Sequence, residues 1–526
     1  MLISGTLQAF GFALFAVNTV VAIEPVVDLG YTSYQGYTDV SANITRWLGI
    51  RYAEPPVGKL RWKAPQPPPL VSGHQDGTQQ PPECYQGPMG ASTTNPLKGS
   101  KRAISSSEDC LFLSVYSPQH RVSGGLPVIV WIHGGGYVYG SSSLFDGADL
   151  IKNSNNGVVV VTVQYRLGLF GFLAGKAVKA GGALNAGLLD QHQALQWVQS
   201  HISKFGGDPS KVTIWGESAG AGSVLQHVVA HKGSTHPPLF RAAMTSSTFL
   251  PPQYNYNDPI PEKIYGEVVK GAKCNSHSDT LACLRVASVD TLQSLNTQIS
   301  RAGFVGTFTF VPVVDGSFIA ERPTITLSRG KVNGGALLSV TNTFEGTSFV
   351  SARNKMNISD YVSTLFPHFG PAQAEEAAKA YNGVGKNNLD KAIGAMGEAI
   401  FICPTYYLLN GFGQKHAWKG DFAISPGRHG EDIDYYFTSG SPAFRNTAFI
   451  QAFARSFLSF AISLDPNRKL SGSDIKPSWN PWKPGATEMW FGKTSQNKPD
   501  VKTVRTNQAL QARCNYWHGV SAYTSQ

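Results

Sequence analysis

Charge is scarce in this chain: only 15% of its 526 residues are Asp, Glu, Lys or Arg. Disordered chains are richer in charge and poorer in apolar residues. Here 42% of residues are apolar, enough to bury a large core. The net charge of +10 is spread along the chain and is not interleaved with aromatic residues, which argues against a nucleic-acid partner. A solvated surface explains it better than attraction to acidic polysaccharide or anionic surfaces. Metal and cofactor signatures are lacking too. There is no H-E-x-x-H, no clustered Cys/His set and no dinucleotide fingerprint, so neither a metal nor an organic cofactor is expected. Long apolar runs are also rare. The run Leu7 to Ala22 is short for a bilayer span and ends in small residues, so residues 1–22 read as a secretory leader cut after Ala22. It lacks a leading Lys or Arg, and a retained anchor is the alternative. No other stretch reads as a membrane span. Cysteines number six, which allows fifteen pairings, and secretion would permit disulfides. No repeat, low-complexity tract or linker divides residues 23–526, which read as one domain despite their length.

What is present is punctuated by glycine. Val212-Thr213-Ile214-Trp215 reads as a buried strand, and Ala219 to Val229 as a helix. Between them, Gly216-Glu217-Ser218-Ala219-Gly220 is a G-x-S-x-G turn, the setting of a nucleophilic serine. Such a turn is sharp, and its flanking positions tolerate almost no side chain. A bare match is weak, because Gly and Ser are common in turns.

A second strand, Leu126-Pro127-Val128-Ile129-Val130, runs into Trp131-Ile132-His133-Gly134-Gly135-Gly136-Tyr137. Consecutive glycines let backbone N–H groups point at one spot, where they stabilise charge developing on a carbonyl oxygen. Gly135, Gly136 and Ala219 are assigned as those donors. A flexible loop or a phosphate cradle is the competing reading. A phosphate loop would add a Lys or a GxGxxG spacing, and neither is here. Further strands read at Val158–Val163 and Ala336–Val340. A helix carries Leu188, Leu195, Val198, Ile202 and Phe205 at helical spacing and stops at Gly206-Gly207-Asp208-Pro209. Alternating strands and helices imply an α/β fold with a mostly parallel sheet covered on both faces.

With these blocks in hand, the chain resembles the type-B carboxylesterase/lipase family, the cholinesterase and fungal-lipase branch of the α/β-hydrolases. The resemblance extends to Trp47 through Pro56, to Ser107-Glu108-Asp109-Cys110-Leu111-Phe112-Leu113 and to Asn185 through Gln191. It implies an α/β-hydrolase fold with a small amino-terminal sheet and a helical cap over a gorge. It also implies a Ser-Glu-His triad. Glu345 in Thr343-Phe344-Glu345-Gly346 stands where the family keeps its acid, and His429 in Gly427-Arg428-His429-Gly430-Glu431-Asp432 stands where it keeps its base. The order Ser218, Glu345, His429 is the one expected on this fold. His133, in the glycine loop, and His201, on the helix before the turn, are the rival histidines. Glu431 and Asp432 read as supporting or surface acids. The resemblance pairs Cys84 with Cys110 and Cys274 with Cys283, and Cys403 and Cys514 remain as a third pair. Asn43 and Asn357 head glycosylation sequons.

The resemblance implies a secreted ester hydrolase acting on short-to-medium acyl or aromatic esters. The segment inside Cys84–Cys110 is polar and broken by glycine and proline, unlike the amphipathic flap of a lipase. Tyr137, Phe249, Leu250, Gly306 and Phe308 are candidates for the substrate pocket, with ordinary core packing as the competing reading. The small Gly306 suggests room there. Ser247 stands where relatives often keep Gly. A lipase or sterol esterase, a feruloyl-type esterase and a non-catalytic adhesion protein remain alternatives. The last fits poorly, because such relatives have lost the nucleophile. The partner is therefore an ester substrate, and the oligomeric state is left open.

Overall fold

The computed structural model describes residues 21–22, 25–91, 106–121, 124–413, 416–470, 474–483 and 487–526. Residues 1–20 of the leader read over residues 1–22, and most of the Cys84–Cys110 loop, residues 92–105, lie outside the described residues.

Runs of β-branched and aromatic residues build one large sheet. Its strands are β1 (Tyr37–Asp39), β2 (Ile44–Arg51), β3 (Phe112–Pro118), β4 (Leu126–Ile132), β5 (Val159–Val163), β6 (Gly207–Glu217), β7 (Ala242–Ser246), β8 (Leu337–Asn342), β9 (Ala417–Ala423), β10 (Thr487–Lys493) and β11 (Pro499–Arg505). Their order in space is β11-β10-β9-β8-β7-β6-β4-β5-β3-β2-β1. Neighbours from β10 across to β5 run parallel. Beyond them β3, β2, β1 and β11 pair antiparallel, so the sheet is mixed at its edges. A separate small sheet joins Val26–Asp28, Ser33–Gln35 and His74–Asp76.

Both faces of the sheet are covered, and strand alternation divides the core accordingly. On β4, Val128, Val130 and Ile132 join one cluster with Leu188, Leu195 and Val224 of helices Ala186–His201 and Ala219–Gly233. Ile129 and Trp131 face the opposite cluster, with Leu150 of helix Gly147–Asn153 and Phe453 and Phe457 of helix Thr447–Ser463. Helices Pro259–Gly271, Thr280–Val286 and Val289–Ala302 are inserted between β7 and β8. Ile358–Leu365 and Pro371–Ala380 are inserted between β8 and β9. All three disulfides form as paired above: Cys84–Cys110, Cys274–Cys283 and Cys403–Cys514.

One expectation is corrected. The helical run Asn388–Phe412 is long and apolar enough to cross a membrane by length and composition, although no stretch after the leader read that way. Its apolar 18-residue window is 83% buried, and its apolarity is that of a core helix.

Two buried histidines each favour unfolding as pH falls. Burial pushes His227 down to about 3, helped by His192 and His231, and pushes His133 down to about 4 against its hydrogen bond to the Gly134 carbonyl. An unfolded histidine gains its proton near pH 6.5, so falling pH favours the unfolded chain until the native rings are protonated too, at about 1.4 kcal/mol per pH unit per ring. Buried Glu217, Asp421 and Asp432, whose carboxyls burial raises, act with the opposite sign on the whole chain, so the histidine effect is read as a difference: as pH falls from 6.5 to 4, the melting temperature of His227→Gln should rise relative to that of the wild type. Paired thermal melts of wild type and variant check this, and a difference that does not change with pH in that window contradicts it.

Candidate active site

The turn after β6 is the tightest feature of the sheet's carboxyl edge. Ser218 lies there at φ +56 and ψ −124, a backbone conformation that is costly for a residue with a side chain. The neighbours explain how it is held. A Cβ on Gly216 would sit 2.3 Å from the Gly220 carbonyl carbon, and one on Gly220 would sit 2.0 Å from the Ile132 oxygen. The helix start is thereby pressed against the end of β4. The glycine loop that follows β4 passes over the serine, since a Cβ on Gly134 would sit 3.0 Å from Ser218 Cβ. Gly135 and Gly136 have φ of +100 and +61. No backbone carbonyl among the described residues takes the N–H of either. Ala219 opens its helix, where backbone N–H groups lack helical partners. Phe308 packs so closely on Gly136 that a Cβ there would meet its ring at 2.1 Å.

Glu345 begins the short helix directly after β8, and His429 lies in the loop after β9. The Phe344 N–H donates to the Gly427 carbonyl at 2.8 Å and draws those two loops together. His429 Nδ1 donates to Glu345 Oε2 at 2.6 Å. The other carboxylate oxygen, Oε1, accepts the Asn342 N–H at 2.7 Å, which fixes the acid's orientation. His429 is held between Phe401, with ring centroids 4.4 Å apart, and Phe349, at 4.9 Å. Its Nε2 is buried without a hydrogen-bond partner, so the bond to Ser218 that a triad uses is not made in this state. Such bonds are often long before substrate binds.

Sequence reasoning missed Glu217. Its Oε1 lies 3.3 Å from His429 Nε2, and its backbone adjoins the serine. Burial pushes Glu217 up to about 8, which His429 opposes. Burial disfavours charge on His429 as well, but Glu217 and Glu345 together outweigh it and raise the ring above the ordinary histidine value. A charged residue inside an otherwise apolar strand-to-helix turn was the available signal. Behind Glu345, the Asn342 amide donates to Asp432 at 2.9 Å and to the Ser247 hydroxyl at 3.1 Å. Ser247, at φ +59 where glycine would be unstrained, thus braces the acid's support. Asp432 sits beneath the site, and Glu431 accepts the Arg428 N–H within its own loop.

The rival histidines are elsewhere. His133 stacks on Tyr165 at 4.5 Å and braces the glycine loop through Gly134. His201 packs against Tyr31 and Trp197. Among the pocket candidates, Phe249, Gly306 and Phe308 line a mainly apolar cavity of about 270 Å³, together with Phe304, Met396 and Ile400. Tyr137 and Leu250 are fully buried and lie outside that lining. At Gly306 the missing side chain gives no room: φ is +82, and a Cβ would sit 1.9 Å from the Phe349 oxygen. Of the sequon asparagines, Asn357 is exposed at a helix start, whereas Asn43 is half-buried beside a buried Thr45. Among the described residues, no group of three His, Cys, Asp or Glu side chains could hold a metal ion.

Glu217→Gln removes the acidic group beside Nε2, so His429 should titrate lower than in the wild type. An NMR titration of the His429 ring protons checks this. An unchanged or raised value contradicts it.

Comparisons with known proteins agree with this geometry. The family model described as Carboxylesterase family matches residues 24–517. Lipase 2 of Diutina rugosa is 34% identical over 505 residues, which are 86% of this chain and 90% of that protein. Secreted lipase 1 of Botryotinia fuckeliana is 33% identical over 370 residues, 66% of this chain and 64% of that protein. The crystal structure of Aspergillus niger EstA superposes with a TM-score of 0.84 at 29% identity, covering 96% of this chain and 99% of that one. The sheet order, the glycine-flanked Ser218 turn and these likenesses agree: the chain belongs to the carboxylesterase family of α/β-hydrolases and is an ester hydrolase.

Proposed function

We propose that the chain is a secreted serine carboxylesterase that cleaves short-to-medium acyl or aromatic esters through an acyl-enzyme. The observation that carries this reading is the 2.6 Å bond between His429 and Glu345, at the same edge of the sheet as the strained Ser218 turn. Ser218 Oγ attacks the ester carbonyl, and its proton passes to His429 Nε2. Glu345 keeps the other ring proton on Nδ1 and stabilises the imidazolium that forms. The carbonyl oxygen becomes an anion that the N–H groups of Gly135, Gly136 and Ala219 receive. His429 then returns the proton to the leaving alcohol, and water cleaves the acyl-enzyme by the same steps. Glu217 stands beside Nε2 and, when ionised, favours the charged ring.

The cavity supports the substrate class. Its lining is apolar, and about 270 Å³ lies just below the roughly 300–1,000 Å³ of typical small-molecule pockets. Its lining residue Phe308 packs on Gly136, and its lining residue Phe249 stacks on Phe401, which packs on His429. An acyl group of moderate length fits that space. The described start of the Cys84 loop is tied down, with Gly87 N–H donating to the Val138 carbonyl and Gly90 N–H to the Thr307 carbonyl. Relatives named as lipases favour the second reading, a long-chain lipase. Extracellular placement rests on the leader-like residues 1–22 and on relatives named as secreted lipases.

Two outcomes follow. Hydrolysis of p-nitrophenyl esters from acetate to palmitate should peak at short-to-medium chains, and a maximum at palmitate would make the protein a lipase. Ser218→Ala should lower kcat by up to about 10⁶-fold, and a variant that retains wild-type turnover would remove Ser218 from the mechanism.

A further inference from the structure

The apolar helix beneath the site changes its winding at one place. Residues Glu398–Ile402 form a π-turn, followed by helix Cys403–Phe412 with Pro404 in its first turn. Single π-turns inside helices are uncommon and concentrate at functional sites. Pro404 has no N–H, so it cannot donate to the Ile400 carbonyl four residues back. The Leu250 N–H does so instead, at 2.9 Å. The neighbouring Ala399 carbonyl is taken by the side chain of Gln526. Gln526 Nε2 donates to the Ala399 oxygen at 2.8 Å and to the Leu250 oxygen at 2.6 Å. Its Oε1 accepts the Thr524 hydroxyl at 2.8 Å, so every polar atom of this amide is matched in only one orientation. Gln526 is fully buried, and its main-chain oxygen accepts the Thr324 hydroxyl.

This amide joins the two segments that wall the cavity. Phe249 precedes Leu250, and Phe401 lies two residues after Ala399. Their rings stack at 5.4 Å. Phe401 in turn packs on His429, and Phe249 stands edge-on to Phe308. Ile400, Met396 and Phe249 face the cavity directly. We infer that Gln526 is a positioning residue for acyl selectivity: its amide sets the spacing between the Phe249–Leu250 segment and the π-turn, and so fixes the wall that an acyl chain meets. This rests on the hydrolase reading above.

The test is Gln526→Met in the full chain, which keeps length and volume but removes both donors. Acetate and octanoate p-nitrophenyl esters are compared, with melting temperature measured alongside. The ratio of kcat/KM for octanoate to that for acetate should fall by about tenfold, since small misplacements near a reacting group cost up to about 10²-fold. Thr524→Val frees the amide without removing it and should change the ratio in the same direction by less, which serves if the Met variant does not fold. A ratio unchanged in both variants, whether activity holds or both esters fall together with the melting temperature, overturns the inference. A wild-type chain that cleaves neither ester counts against the hydrolase reading, and against this one with it.

Discussion

The site depends on a near-contact between two pieces of backbone, the carbonyl of Ile132 at the end of β4 and Gly220 in the first turn of the helix after β6. Any side chain at Gly220 would separate them. Their closeness brings the glycine loop over Ser218 and fixes the serine in a strained conformation at the sheet's edge. The strain is local, and the cost is carried by the parallel centre of the sheet. There β4 and β6 are hydrogen-bonded in register up to Ile132 and Gly216 and packed on both faces. A rigid sheet can hold such a turn, whereas an isolated loop would relax it.

Electrostatics builds on this frame. Two carboxyl groups approach the two nitrogens of His429 from opposite sides, Glu345 at Nδ1 and Glu217 at Nε2. In a buried setting each favours charge on the ring. The ring is confined by Phe349 and Phe401, so water has little access and the proton has few competing destinations. The same aromatic wall continues through Phe249 and Phe308 to the glycine loop. The surroundings of His429 and the wall of the cavity therefore share side chains.

Much of this was legible in the sequence because the informative residues are local in the chain. The strand-to-helix turn at Ser218 and the glycine loop after Ile132 declare their backbone needs over a few residues. Glu345 and His429 were found through resemblance, because nothing near them in sequence says that residues 84 positions apart will meet. Glu217 was overlooked since it fills a variable position of its motif, and its proximity to His429 exists only after folding. The antiparallel strand β11 was not read either, because its residues are at most partly buried and show no apolar alternation. The π-turn follows from Pro404, yet the donors that answer its free carbonyls come from Leu250 and Gln526, far away along the chain. The glycine at position 306 suggested open space. In the fold, that space belongs to the backbone of Phe349.

The account stands on Ser218 being a nucleophile activated by His429. Treating the intact protein with a fluorophosphonate and mapping the adduct by mass spectrometry tests this most directly. The account predicts one phosphonyl group per chain, on Ser218, with labelling suppressed in His429→Ala. No adduct, an adduct on another residue, or labelling that ignores the loss of His429 would contradict it.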